Sequence, residues 1–491
     1  MNAAKNDPED GAKNEIASPH QDFPSSKQTS IFMDDAHNLD RQSKEPIIMP
    51  ETPIPKAKRV ETLDVFRGLT IAVMILVDDA GGEWPHMNHS PWNGCTLADF
   101  VMPFFLFIVG VAIALAFKRI QKTSAAVKKV IIRTIKLIFW GLVLQGGYSH
   151  APDDLSYGVD MTKIRWCGIL QRIALGYAVV ALVEIAITRR RTLLVLPDTW
   201  GIFQLYKWHW VMAVSIIIIY CSCVYGLYVP DWQFKSAYTN ETLTVKCGVK
   251  AHFGPPCNAV GYIDREVLGL NHMYGTPEWT RALPCDIRSP SSSDDFRPDA
   301  PTWCQAPFEP EGILGSISGI LSAILGVHYG HVLIHYKGHT KRLLHWVLPA
   351  LVLVLLGLIL HYSHAIPLNK QLYSLSYVCL TGGSAGLVFS FFYVVIDIYG
   401  FSKPFLLLKW MGLNAMFVFV MAAEGIFPAF INGWYYKSPN NTLVYWIQKH
   451  IFVEPWHSIK AGTLLYVLFG EILFWGVVSG LLHRQKIYWK L

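Results

Sequence analysis

About ten stretches of mostly apolar residues, each near the length needed to cross a bilayer, limit this chain more than any other feature. Backbone in lipid has no water to bond to, so such stretches must be helices that satisfy their own hydrogen bonds. They fall at 63–80, 100–117, 130–147, 168–187, 210–229, 312–333, 347–362, 375–396, 405–427 and 463–482. The expected fold is therefore an all-α polytopic membrane protein with about ten transmembrane helices. Composition agrees: 52% of the 491 residues are hydrophobic and only 16% charged, against roughly 25% charged in soluble chains. That excludes a disordered or fibrous protein and argues against an ordinary soluble enzyme. The formal charge of +6 is small and sits mainly in particular loops, so it reports topology and implies no nucleic-acid partner.

Residues 1–57 are rich in Asp, Lys, Asn, Ser, Gln and Pro and carry no apolar h-region, which reads as a disordered cytosolic tail. Residues 58–491 form the transmembrane domain. With the N-terminus cytosolic, the basic segments KRIQK, TRRRT, HYKGHTKR, FSK and HRQKIYWK all face the cytosol, as short inside loops should. The C-terminus is then cytosolic too. APDDLSYGVD, a long insert at about 230–311, SHAIPLNK and NGWYYKSPNNT fall on the opposite, lumenal or extracellular side.

Cys247, Cys257, Cys285 and Cys304 all lie in that insert, on the oxidising side, so two disulfides are expected, with three connectivities open. Zinc is the competing reading, and the wide spacings with no close C-x-x-C count against it. The sequons at Asn240 and Asn440 fall where glycosylation can occur. No Walker, G-x-G-x-x-G, H-E-x-x-H or G-x-S-x-G motif is present.

Ionisable residues inside spans are costly and so count as functional candidates. The first hairpin holds most of them: Asp64 and Arg67 in LDVFRG, Asp78 and Asp79 in ILVDDAGG, His89 and Asn93 in MNHSPWNG, and Asp99 at the start of the second span. His89 is the natural catalytic candidate, because histidine alone titrates near neutral pH without strong help and can act as base or nucleophile. Asp78 or Asp79 is the carboxylate expected to orient its imidazole. Further along lie Gln171 and Arg172 in GILQRIAL, Glu184, Glu311 in PEGILG, Asn369, Asn414 and Glu471. A guanidinium in an apolar stretch needs a carboxylate or phosphate partner, which marks out Arg172.

The run LDVFRG, DDAGG, HSPWNG, TLADFVMPFFLFIVG, RWCGILQRIALGY, GYIDREVLG, EPEGILGSI, LNKQLYSLSYV, GLNAMFVFV and KIYWKL resembles the heparan-alpha-glucosaminide N-acetyltransferase family over about residues 58–491. The resemblance implies transfer of acetyl from cytosolic acetyl-CoA to a lumenal sugar amine, in a lysosomal or vacuolar membrane, with a homodimer as a candidate assembly. It places the family's active-site histidine at His89. It puts Asp78 where the family carries an asparagine, a carboxylate able to raise imidazole basicity in place of an amide that only hydrogen-bonds. The tail stands where the animal enzyme has a lumenal domain and a leading span, so a short form is expected.

On this reading His89 and Asp78 are catalytic, with Asp79, Asp99 and Asn93 in support. Arg67 and Arg172 are donor-phosphate or internal ion-pair candidates. Asn369, Asn414, Gln171 and Glu311 are further donor- or substrate-binding candidates. Acetyl-CoA is the co-substrate, and no metal is expected. Two alternatives stay open: O-acetylation of another glycan or glycolipid, in another endomembrane or the plasma membrane, and a proton-coupled secondary transporter using the buried carboxylates and histidine.

Overall fold

The computed structural model describes residues 60–118, 122–146, 161–189, 201–236, 239–290, 296–423 and 426–489. The expected tail at 1–57, the loop carrying APDDLSYGVD and the TRRRT segment beyond Arg189 lie outside the described residues. Residues 59–491 make one compact unit.

Each of the ten expected stretches carries helix. In chain order the helices are α1 Glu61–Ala80, α2 Val101–Phe117, α3 Thr123–Gly141, α4 Ile169–Arg189, α5 Gly201–Leu205, α6 Lys207–Gly226, α7 Ala259–Leu268, α8 Ile313–His335, α9 His339–Tyr362, α10 Leu375–Phe392, α11 Leu406–Leu413 and α12 Ala415–Val418. Then follow α13 Ile426–Asn432, α14 Leu443–Ile447, α15 Glu454–Trp456, α16 Ile459–Leu465 and α17 Leu473–Arg484. Among the described residues, seven helical segments are long and apolar enough to span a membrane, or eight if a pair bent by 74° at Leu413–Ala415 counts as one.

The difference from ten has a physical cause. α1 carries Glu61, Asp64, Arg67, Asp78 and Asp79, and α3 carries Lys128, Lys129, Arg133 and Lys136. Both form as helices, but neither is apolar enough to meet the criterion for a span. The stretch drawn as one helix at 405–427 is broken instead, with Asn414 at the bend.

Burial sorts the bundle. α8 is 83% buried along its apolar window and α9 only 17%, so α8 is the axis and α9 sits at the periphery. The exposed face of α9 is Leu344, Leu348, Leu351, Val352, Leu355 and Ile359, an apolar surface suited to lipid. α2 and α8 meet backbone to backbone. A Cβ at Gly110 would collide with the Ala323 carbonyl, and one at Gly326 with the Phe107 carbonyl, the small-residue contact that lets membrane helices approach closely.

The insert between α6 and α8 packs around Phe234, Val260, Trp279 and Phe308, a core completed by Trp92 of the α1–α2 loop and Tyr220 of α6. Two short antiparallel pairs, β1 Tyr228–Val229 with β4 Val249–Lys250 and β2 Trp232–Lys235 with β3 Thr242–Val245, frame it. Of the three connectivities, Cys247–Cys257 and Cys285–Cys304 are the ones formed. Asn240 and Asn440 are both exposed.

Candidate active site

Local sequence builds the site from the α1–α2 loop. In Thr96-Leu-Ala-Asp99 the Thr96 N–H and hydroxyl both donate to Asp99 Oδ2 at 2.9 Å, a capping box at the start of the helical turn Leu97–Phe100 that leads into α2. Ser90 N–H adds a third bond at 3.2 Å. Those bonds occupy Oδ2 and aim Oδ1 at His89, whose Nδ1 lies 2.7 Å away. Asp99 is fully buried, and His89 keeps 24% of its side-chain surface. Gly94 closes the HSPWNG turn at φ 125°, a conformation open to glycine and costly for residues with a Cβ. Its N–H bonds the Leu368 carbonyl at 2.8 Å.

The carboxylate that holds the imidazole is therefore Asp99, not Asp78 or Asp79 as expected. Asp78 and His89 instead share the lining of a cavity of about 250 Å³, with Met74, Met102, Phe105 and Lys370. Asp79, one residue on, is rotated about 100° around the helix and hydrogen-bonds Glu471. A larger, open cleft of about 600 Å³ lies at 433–446 among Trp434, Tyr436 and Trp446, with none of the candidate residues in its lining.

Lys370 was not among the expected residues. Its Nζ lies 3.0 Å from His89 Nε2 and 3.2 Å from Nδ1. It stands on a tight turn: Asn369 Oδ1 accepts from Leu372 N–H at 2.8 Å, Tyr373 N–H donates to the Lys370 carbonyl at 3.0 Å, and Asn369 Nδ2 reaches Asn93 Oδ1 at 3.3 Å. Asn93 and Asn369 thus clasp the two loops together. The signal for Lys370 was available, since a lysine in SHAIPLNK runs against the charge rule that assigns that loop to the outside.

Beside this centre is an ionic cluster. Arg165 is bidentate to Glu309, at 2.8 and 2.6 Å, and reaches Glu311 at 2.5 Å. Burial alone would raise the Glu311 carboxyl, but Arg165, Arg172 and Lys370 together hold it below its ordinary value, so it stays anionic near the lysine. Arg172 is 2% exposed. It donates to the Pro310 carbonyl at 2.8 Å and to Ser316 Oγ at 3.2 Å, and its guanidinium lies over the Tyr373 ring at 5.0 Å. These contacts make it an internal brace rather than a group at a phosphate-accessible mouth.

Of the expected site residues, Asp78 and His89 are the two in the cavity lining, and Arg67, Asn414 and Gln171 make their contacts elsewhere. Arg67 donates to the Gly412 carbonyl at 3.3 Å and sits 3.7 Å from Asp64. Asn414 accepts from Trp489 N–H at 3.3 Å. The Gln171 amide is packed against Gly141.

The insert closes over the histidine loop. Arg281 Nη2 donates to the His89 carbonyl at 2.8 Å, Trp92 Nε1 donates to the Phe253 carbonyl at 2.8 Å, and the Trp92 ring packs on Trp279 and Phe308. Burial first, and then Asp99, push the Cys95 thiol well above its ordinary value, so it is a poor source of thiolate. The nucleophilic side chains at the cavity are His89 and Lys370. Chemically, this is a histidine fixed on one nitrogen by a buried carboxylate, with its other nitrogen at a small cavity: the layout of a general base or acyl-accepting nucleophile. Among the described residues there is no group of three or more metal-ligating side chains.

Comparison with known proteins gives a consistent answer. Residues 59–224 match the family model for heparan-alpha-glucosaminide N-acetyltransferase, catalytic. The chain is 30% identical over 453 residues to heparan-alpha-glucosaminide N-acetyltransferase of Mus musculus, covering 87% of this chain and 62% of that protein. It is 29% identical over 459 residues to the Homo sapiens protein of the same name, covering 88% and 60%. The chain thus spans about three fifths of the length of these relatives. The matched segment holds α1, the His89 loop and α2, and with it the histidine, Asp99 and Asp78, so the similarity to the heparan-alpha-glucosaminide N-acetyltransferases takes in the candidate site.

Proposed function

We propose that this protein is a transmembrane acetyltransferase that moves acetyl from cytosolic acetyl-CoA to the amine of a lumenal sugar, with terminal glucosamine as the first acceptor to try. The carrying observation is the His89–Asp99 pair at the edge of the 250 Å³ cavity, in a chain whose relatives bear the name of such an enzyme. A cavity of that size suits an acetyl thioester end and one sugar amine; the nucleotide of CoA must lie outside it.

The roles follow from the geometry. Asp99 fixes the Nδ1–H tautomer, which leaves the Nε2 lone pair to act. His89 Nε2 takes the proton from the acceptor ammonium, or accepts the acetyl itself before passing it on. Asp78, across the cavity, attracts a cationic acceptor. Lys370 and the Asn93–Asn369 clasp are placed to stabilise the carbonyl oxygen as it gains charge.

In the same reading, α1, α3 and the bent pair complete ten spans. Helix α1 then crosses despite its charges, which pair within the bundle. Both termini are cytosolic, the insert and His89 face the lumen, Asn240 and Asn440 are glycosylated, and the membrane is lysosomal or vacuolar. A homodimer is part of this proposal, by family resemblance.

The test is to purify the chain with lipid, supply acetyl-CoA and glucosamine, and follow CoA release and N-acetylglucosamine. The native chain should form product, and His89→Ala should lose on the order of 10²- to 10⁴-fold in rate while still binding acetyl-CoA. Donor binding with no glucosamine product would redirect the search to a hydroxyl acceptor. Absence of donor binding would sink the acetyltransferase reading.

A further inference from the structure

We infer that Lys370 is an internal acceptor: when no sugar is bound, the protein transfers acetyl from acetyl-CoA to the Nζ of Lys370 and so limits its own activity. This rests on the acetyltransferase reading above and adds a modification site to it. Lys370 is a primary amine of the same chemical class as the proposed acceptor, and its Nζ stands 3.0 Å from the His89 nitrogen that serves as base.

The position is built rather than incidental. The Asn369 and Tyr373 bonds hold the turn, and Lys370 and His89 line one cavity. A single nitrogen cannot lie along both in-plane nitrogen directions of an imidazole, so an Nζ at 3.0 and 3.2 Å from the two ring nitrogens lies across the ring. From there a rotation of its own long side chain brings it onto the in-plane Nε2 lone pair, the ground where an acceptor amine must come to be deprotonated. An acetyl thioester delivered to His89 meets this amine first if the sugar is absent.

The step balances. His89 Nε2 takes one proton from the Lys370 ammonium, and the freed amine attacks the thioester carbonyl carbon. A C–N bond forms and the C–S bond breaks. CoA leaves as the thiolate, which takes a second proton to become the thiol, while the first passes from His89 to water. The product is an amide, which does not give acetyl back. It removes the positive charge beside Glu311 and fills the space next to His89.

The experiment uses the full chain in lipid, acetyl-CoA, and peptide mass spectrometry at residue 370. Without sugar, native protein should gain one acetyl group on Lys370, and its transferase rate should fall with time of preincubation. Saturating glucosamine, or His89→Ala, should cut that modification at least tenfold. Lys370→Arg, compared with its own starting rate, should lose the preincubation decline. Product formation on glucosamine with Lys370 unmodified would overturn the inference and leave the transferase reading intact. Equal acetylation in His89→Ala, or no protection by sugar, would mark ordinary chemical acetylation and also overturn it. Neither glucosamine product nor acetyl-Lys370 would remove the transferase reading and the inference together.

Discussion

Asp99 has two tasks that compete in most proteins: it caps a helix start and it holds a histidine. The sequence T-x-x-D separates them, giving Oδ2 to the backbone and Thr96 and leaving Oδ1 for the ring. Asp99→Asn keeps the size but turns either the acceptor or the amide NH₂ toward the wrong neighbour. If the amide faces His89, the Nδ1–H tautomer is lost. The expected result is a rate on the order of 10³- to 10⁴-fold lower, with acetyl-CoA binding preserved, read by steady-state rates and a binding assay. A variant with the native rate would show that the pair does not act in the reaction.

At this scale the sequence was partly legible. His89 and Asp99 stood out as charged groups around one hairpin, and the resemblance marked the histidine. Their pairing was hidden because Asp79 and Asp99 lie equally far from His89 along the chain, with Asp78 one residue further, so spacing could not choose, and the capping geometry decided for Asp99. Helix rotation then separates Asp78, at the cavity, from Asp79, at Glu471. Lys370 was hidden because its neighbour His89 is 281 positions away.

Helix ends tie the insert to the bundle. Helix α8 begins where Asp264 of α7 accepts the Ile313 N–H at 2.8 Å, so the insert is tied to the central helix by a buried carboxyl. Burial pushes that carboxyl from 3.8 up to about 7, the Ile313 bond opposing the rise. A group that binds its proton more tightly when folded stabilises the fold fully below its unfolded value, and that contribution disappears as pH rises through about 7. The protein should therefore unfold at higher temperature at pH 5 than at pH 8, with a contribution from this site on the order of a few kcal/mol. Asp264→Asn, which retains an acceptor for Ile313, should flatten the dependence. An unchanged pH profile in that variant would remove Asp264 as its source.

Helix positions were readable from apolar length alone, because lipid leaves the backbone no other choice. The break at Asn414 was not, since the residues around it are as apolar as those in unbroken helices. Nor could the sequence choose the disulfide pairing, which depends on how the loops of the insert fold back.

Across the whole molecule, the insert is the lid of the site. It bonds the His89 carbonyl through Arg281, packs Trp92 into its core and is stapled by two disulfides. On the proposed topology that lid lies in the lumen, while the basic segments and the CoA entrance lie in the cytosol. The central claim is then that acetyl crosses the membrane within one protein and CoA does not. The direct measurement reconstitutes the chain in sealed vesicles with glucosamine trapped inside and labelled acetyl-CoA added outside, scoring vesicles whose insert faces inward. The account predicts labelled N-acetylglucosamine inside, labelled acetyl-CoA and free CoA only outside, and no product with His89→Ala. Product that forms only when donor and sugar share one compartment would contradict it.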